Sequence, residues 1–249
     1  MKIAVCLKRV PDTTAKIVVG GDGKSIDETG VKFVPNPYDE YALEAALALK
    51  DKAGAGETVV YSLGGDAAQE TIRTALAMGI DRGVLLQTAG SADGFVVAEA
   101  LAAELGTGGF DLILFGKMAV DDYNHQVGLM VGELLGLPTI SAVSGLTVDG
   151  GRVQAEREVE GGVEVVTCAL PAVITADKGL NTPRLPSLKG IMAAKKKPLE
   201  SKPVTLGPGA VSVVGLSLPP ERQAGRIVGE GPDAVTLLVQ LLRNEAKVI

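Results

Sequence analysis

Between residues 3 and 135, short apolar runs alternate with stretches of helical spacing, and this alternation limits the fold more than any other feature of the chain. The runs are Ile3–Leu7, Thr58–Leu63, Gly83–Gln87 and Asp111–Gly116. Each is apolar almost throughout instead of alternating with polar residues, as expected of a strand covered on both faces in a parallel sheet. Helical spacing is read over about 39–53, 67–78, 93–105 and from about His125 to Leu135. Strand and helix repeated in this way predict an α/β fold, a parallel sheet with helices on both faces.

The most informative connection is GKMAVDDYN, between the run at Asp111–Gly116 and the helix predicted from His125. A strand, a small polar loop and a helix N-terminus build the crevice where open α/β sheets bind ligands. Free N–H groups and the positive end of the helix dipole suit a phosphate there. Asp121, Asp122 and Asn124 are read equally well as caps of that helix.

Composition excludes several classes. The chain is 46% hydrophobic, ample for a core, but only 3% aromatic and without Trp, which argues against a stacking platform for single strands. A net charge of −6, with Lys195-Lys196-Lys197 the one basic run, argues against nucleic acid in general. Cys6 and Cys168 sit in apolar runs and read as small buried hydrophobes in a reducing compartment. A single histidine, His125, rules out a multi-histidine metal centre. The opening residues run straight into a strand with no leader pattern, and no stretch reaches membrane-spanning length. A cytoplasmic protein without membrane insertion is expected.

Gly20-Gly21-Asp22-Gly23 predicts a hairpin-like turn from Val18-Val19 back to Val31–Val34. Pro35 and Pro37 stiffen the chain before the first helix. After Gly136 the pattern changes. Arg152–Arg157 and Val163–Cys168 alternate with period two around Gly161-Gly162, a β-hairpin signal, and Leu170–Thr175 returns to the sheet. From residue 178 prolines recur at 183, 186, 198, 203, 208, 219 and 220, too densely for long regular elements. The segment still carries Val204, Leu206, Val211, Val213, Val214, Leu216 and Leu218, and a final helix over about Pro232 to Ala246. So apolar an arm needs a surface to lie on, and a second subunit is the economical choice.

The remaining motifs favour structural readings. Gly64-Gly65-Asp66 lies where a phosphate loop could, but no Gly-Lys-Ser/Thr follows, so a turn with Asp66 as helix cap is expected. Lys8-Arg9, at the end of the first strand, could meet an anion or form surface ion pairs. Asn36-Pro37-Tyr38 reads as a structured turn. His125 has no serine or cysteine nucleophile placed to pair with it, and no catalytic constellation emerges.

A resemblance covers essentially the whole chain. VCLKRV from Val5, Asn36-Pro37-Tyr38, QETIRTALAMG from Gln69 and GKMAVDD from Gly116 resemble, in order, the electron transfer flavoprotein β subunit. So do AEREVEGGVEVV from Ala155, LPAVIT from Leu170, DKGLNTPR from Asp177 and IMAAKKK from Ile191. The resemblance implies a Rossmann-like, three-layer α/β/α adenine-nucleotide-binding domain over residues 1–190, with a β-hairpin. It implies an extended C-terminal arm over 191–249 that packs on an α subunit. The chain is then half of a heterodimer, an electron carrier and not an enzyme. FAD would be held mainly by the α subunit, with Tyr38 near its ring and Thr13 where the family has a second aromatic.

The resemblance also implies a structural AMP in this chain. Its contacts would be Cys6, Asn36, Pro37, Tyr38, Asp39, Leu63, Gly116, Lys117, Met118, Ala119, Val120, Asp121, Asp122, Tyr123, Asn124, His125, Gln126 and Val127. The phosphate would sit near Asn124 to Val127, with one of Asp121 and Asp122 on another polar group of the nucleotide. Leu188 matches the leucine by which the family docks flavin dehydrogenases such as acyl-CoA dehydrogenases, and a quinone oxidoreductase would take the electrons onward. Electron-bifurcating members hold a second FAD in place of AMP. Their loop carries Gly after the first Asp, where this chain has Asp122, so AMP is expected. Rival readings from other classes are an adenine-nucleotide hydrolase or ligase, and a nucleotide-sensing regulator that folds alone.

Overall fold

The alternation read from the sequence becomes a nine-stranded sheet in a computed structural model that describes residues 1–90, 92–221 and 224–249. In chain order the first elements are β1 (Lys2–Cys6), β2 (Arg9–Pro11), β3 (Phe33–Pro35), α1 (Pro37–Ala53), β4 (Glu57–Gly64) and α2 (Ala68–Met78). Next come β5 (Arg82–Gln87), α3 (Gly94–Leu105), β6 (Leu112–Gly116), α4 (Val127–Leu135), β7 (Thr139–Asp149) and β8 (Arg152–Val159). The last are β9 (Gly162–Ala169), β10 (Ala172–Ala176), α5 (Leu188–Ala194), β11 (Leu199–Pro203) and α6 (Ala234–Asn244). The sheet order is β11-β5-β4-β1-β6-β10-β7-β8-β9, parallel as far as β7 and antiparallel through the last two pairs. The fold is α/β with three layers.

Period-two side-chain alternation explains the unbroken apolar runs. Ile3 and Val5 of β1, with Leu112 and Leu114 of β6, face a layer built by α1, α2 and α5. Ala4, Cys6, Ile113 and Phe115 face the other layer, where α3 and α4 lie. Both sets are buried, so each strand residue has a helix above or below it. Truncating one of the larger aliphatic side chains to Ala would cost about 2–5 kcal/mol. The chain builds outward from β1 to β4 and β5, then crosses back to β6 on β1's other side. That reversal opens a crevice beyond the carboxyl ends of β1, β4 and β6.

A buried carboxylate ties this crevice together. Asp39, in the first turn of α1 and 6% exposed, accepts from Lys8 N at 2.8 Å and from Gly116 N at 3.0 Å. The segments that follow β1 and β6 are thus held to one helix N-terminus. Burial pushes Asp39 up to about 7, against its hydrogen bonds from the backbone of Lys8, the side chain of Asn36 and the backbone of Gly116.

Some expected elements differ. Val31–Val34 does not pair with Val18-Val19: Val19 makes one bridge to Ile26, and β3 pairs instead with β2. In the β8–β9 hairpin the loop is Glu160-Gly161, Gly161 taking the positive φ, while Gly162 already pairs with Val159. Asp66 does not cap α2; its carboxylate receives Gln87 Nε2 at 2.8 Å. Lys197 is not a freely solvated lysine, because its Nζ donates to Leu76 O and Ile80 O at the end of α2, and burial lowers its pKa. Arg73 reaches across to Ala194 O and Lys197 O.

The proline-dense tail also holds more regular structure than expected. Ser187 caps α5 through Gly190 N, and β11 adds to the sheet as an edge strand, where proline is tolerated. The chain therefore leaves the sheet after Pro203, not at residue 190. Beyond it, Val211 and Val214 are exposed, and no residue of α6 is buried.

The Asp39 pKa predicts a signed pH effect. A carboxyl group raised from 3.8 to about 7 gives stability that is fully present below the lower value and lost as pH rises through the upper one. Urea unfolding from about pH 5 to about pH 8 should show wild-type stability falling relative to Asp39→Asn. Parallel pH profiles for the two proteins would show that Asp39 is not the group responsible.

Candidate functional site

The loop from Gly116 to Gln126 is shaped mainly by backbone contacts. Gly116 must be glycine, since a Cβ there would lie 2.5 Å from Asp39 Oδ1 and 2.6 Å from the Tyr38 carbonyl carbon. Asn36 is buried and reads both polarities of the loop: its Nδ2 donates to Met118 O at 2.8 Å, and its Oδ1 accepts from Val120 N at 3.1 Å. Lys117 Nζ pairs with Asp177 at 2.8 Å and stands 5.2 Å from the Tyr38 ring centroid. Tyr123 and His125 each take φ 54°, a left-handed conformation that turns the loop into α4.

The two aspartates at the loop's tip do not cap α4, though Asp122 Oδ1 accepts from Asn124 N at 3.1 Å within the loop. Lys8 Nζ binds Asp121 Oδ2 at 2.8 Å and Asp122 Oδ2 at 2.9 Å. Burial pulls the Lys8 pKa down, but the two carboxylates outweigh it and the net shift is upward. Of the two sequence readings of Lys8, the ion pair is the one formed.

Consequently α4 begins without a side-chain cap, Gln126 occupying the cap position. Its first turn lies close against the sheet, because a Cβ on Gly128 would meet Thr175 Cγ2 at 2.8 Å and the Phe115 ring at 3.1 Å. The neighbouring α3 start is closed: Asp93 Oδ1 accepts from Phe95 N and Val96 N at 3.0 Å, and its Oδ2 accepts from Ala210 N and Val211 N of the arm. Of the two helix starts on this face, α4 offers its N–H groups and α3 does not.

A cleft of about 860 Å³, counted with its solvent-filled mouth, lies between these parts. Cys6, Tyr61, Leu63 and Phe115 form an apolar floor from three strands, with Val97 and Leu101 of α3 opposite. Gly116 to Ala119 and Asp122 line one rim, and Asn124 to Gly128 carry the α4 end. Burial, with Asp39 adding to it, raises the Cys6 pKa well above the usual range, so it is a protonated thiol.

Among the residues expected from sequence, Cys6, Asp39, Leu63, Lys117, His125 and Gln126 are in the cavity wall with that loop. Asn36, Pro37, Tyr38, Val120, Asp121 and Tyr123 are not; they brace the loop, start α1 or face outward. Leu188 is the first residue of α5 and is 77% exposed, far from burial. Sequence reasoning missed Tyr61, Phe115, Gly94, Val97 and Leu101. The Asp93-Gly94 pair signalled a helix start, but that α3 stands beside α4 follows from the strand order.

The profile of the electron transfer flavoprotein domain family matches residues 24–206. An electron transfer flavoprotein subunit beta from Syntrophomonas wolfei is 43% identical over 249 residues, covering 100% of this chain and 98% of the relative. Proteins of the same name from Bacillus subtilis and Homo sapiens are each 40% identical, covering 100% of both chains and 98% of both chains respectively. Built on this α/β scaffold and matched along its length, the chain belongs to the electron transfer flavoprotein β-subunit family.

Proposed function

We propose that this chain is one half of a heterodimeric electron transfer flavoprotein, paired with an α subunit that holds most of a redox-active FAD. In this reading it takes electrons from flavin dehydrogenases, such as acyl-CoA dehydrogenases, and passes them to a quinone oxidoreductase. FAD supplies the electron transfer, and this chain positions and shields it without making or breaking bonds. Its own cavity takes AMP as a structural ligand. Among the described residues no helix is long and apolar enough to cross a membrane, and cytoplasmic residence is part of the same proposal.

The observation that carries the AMP assignment is the uncapped start of α4 at the end of a cavity with an apolar floor. A purine suits the space between Tyr61, Leu63 and Phe115 on one side and α3 on the other, and a phosphate suits the first-turn N–H groups of α4. Asp121 and Asp122 share Lys8 as a partner, which cancels one of their two charges, so neither needs to reach a polar group of the nucleotide. The α-subunit partnership is supported by the arm, whose apolar side chains past Pro203 are largely uncovered by this chain.

Co-expression with an α subunit, denaturation and chromatography of the released nucleotides tests the whole reading. One FAD and one AMP per heterodimer are expected; two FAD without AMP would make this a bifurcating subunit. Val127→Asp, which sets a carboxylate in the first turn of α4, should lower AMP content roughly tenfold, the effect of about 1.4 kcal/mol of repulsion. Unchanged AMP would move the phosphate elsewhere. Leu188→Ala should slow electron transfer from a dehydrogenase and leave flavin content intact, as stopped-flow reduction and the flavin spectrum would report. Transfer at the wild-type rate would remove Leu188 from docking.

A further inference from the structure

Arg9 stands apart from the other half-buried arginines. Arg73 donates to two carbonyls, Arg82 pairs with Glu57, and Arg184 with Glu44 and Asp51; Arg157, whose Nε also lacks a hydrogen bond, still has Glu164 and Ser141 Oγ each at 3.3 Å. Arg9 has no hydrogen bond or ion pair among the described residues, and its Nε is fully buried without a partner. The side chain is nevertheless well placed. Arg9 and Phe33 lie on paired strands, β2 and β3, and the Arg9 guanidinium carbon stands 3.5 Å from the Phe33 ring centroid. Stacking covers one face of the guanidinium and satisfies none of its five donors. Leaving a cation partly desolvated and unpaired is costly, so a fork set in this way calls for an acceptor from outside the chain.

Its position says what it serves. The preceding residue, Lys8, is spent on Asp121 and Asp122, and its backbone carbonyl receives Asn36 N at 2.9 Å, fixing the start of β2 to the start of α1. Arg9 is therefore held on the rigid rim of the cavity assembly, but it does not line the cavity. A planar fork with donors in fixed geometry matches a carboxylate or phosphate bidentately, which a lysine cannot do.

We infer that Arg9, braced on Phe33, is the docking point for an oxyanion that arrives with the partner subunit, either a carboxylate of its chain or a phosphate of the dinucleotide it carries. This rests on the heterodimer proposed above. The ion pair forms at assembly, desolvated on the ring side by Phe33.

The test uses the co-expressed heterodimer with Arg9→Met, which keeps a side chain over Phe33, and Arg9→Lys, which keeps the charge. Subunit dissociation is measured against salt by mass photometry, in the flavin-loaded and flavin-stripped complexes, and flavin affinity is measured by titration. Arg9→Met should weaken assembly or flavin binding about tenfold or more and flatten the salt dependence, with Arg9→Lys recovering only part. Weakening that persists without flavin identifies a carboxylate of the partner chain; weakening that appears only with flavin identifies its phosphate. Wild-type assembly, salt response and flavin affinity in a folded Arg9→Met complex would overturn the inference. Failure of the wild-type chains to associate at all would instead overturn the heterodimer reading.

Discussion

The Asp39 carboxylate is the contact on which the cavity's geometry depends. Its two oxygens each take one backbone N–H, from Lys8 after β1 and from Gly116 at the end of β6. These strands are neighbours in the sheet, yet their ladder bonds stop before the loops begin. Past that point the backbone needs other acceptors, and a single side chain on α1 supplies them. The arrangement also explains the glycine: only a residue without Cβ brings the β6 terminus so close to the first turn of α1. Asn36 then extends the same bracing to Met118 and Val120. The loop that rims the cavity is thus built from the α1 side, before α4 contributes anything.

Much of the fold was legible because it is written in periodicity. The four strand–helix repeats, the hairpin around Gly161 and the strand at Leu170–Thr175 all follow from apolar spacing and turn residues. What sequence did not reveal depended on partners distant in the chain. Phe33–Pro35 pairs with Arg9–Pro11 in place of the nearer Val18-Val19, because the ribbon is fixed by β1 and α1 at its two ends. Leu199–Pro203 looked like proline-broken coil, yet the free edge of β5 gives it a ladder. The carbonyls ending α2 that take Lys197 likewise lie more than a hundred residues away in the chain.

The site divides in the same way. The loop at Gly116 and the helix start after it were visible as a strand–loop–helix pattern, and the cavity lies there. The opposing wall from α3 was not, since adjacency of α3 and α4 is a property of topology. Nor could sequence decide what Asp121 and Asp122 do. Both capping and ligand contact were reasonable for acidic residues beside a helix start, and the actual partner, Lys8, lies more than a hundred residues away.

That partner sets how strongly the acidic loop would oppose an anion at α4. A helix start attracts a negative group by about 0.3–1 kcal/mol at the surface and up to about 2 when partly buried. One unpaired carboxylate about 6 Å from a phosphate would repel it by about 3 kcal/mol at an effective dielectric of about 20. Two would exceed the helix attraction several-fold. With Lys8 within 3 Å of both, one of the two charges is cancelled and the loop's tip keeps one net negative charge. The N–H groups of α4 then work against one residual charge instead of two, while Lys117 on the rim is itself paired with Asp177. Lysine in this position therefore acts on an anion indirectly, by roughly halving the repulsion of the acidic loop instead of binding the anion itself.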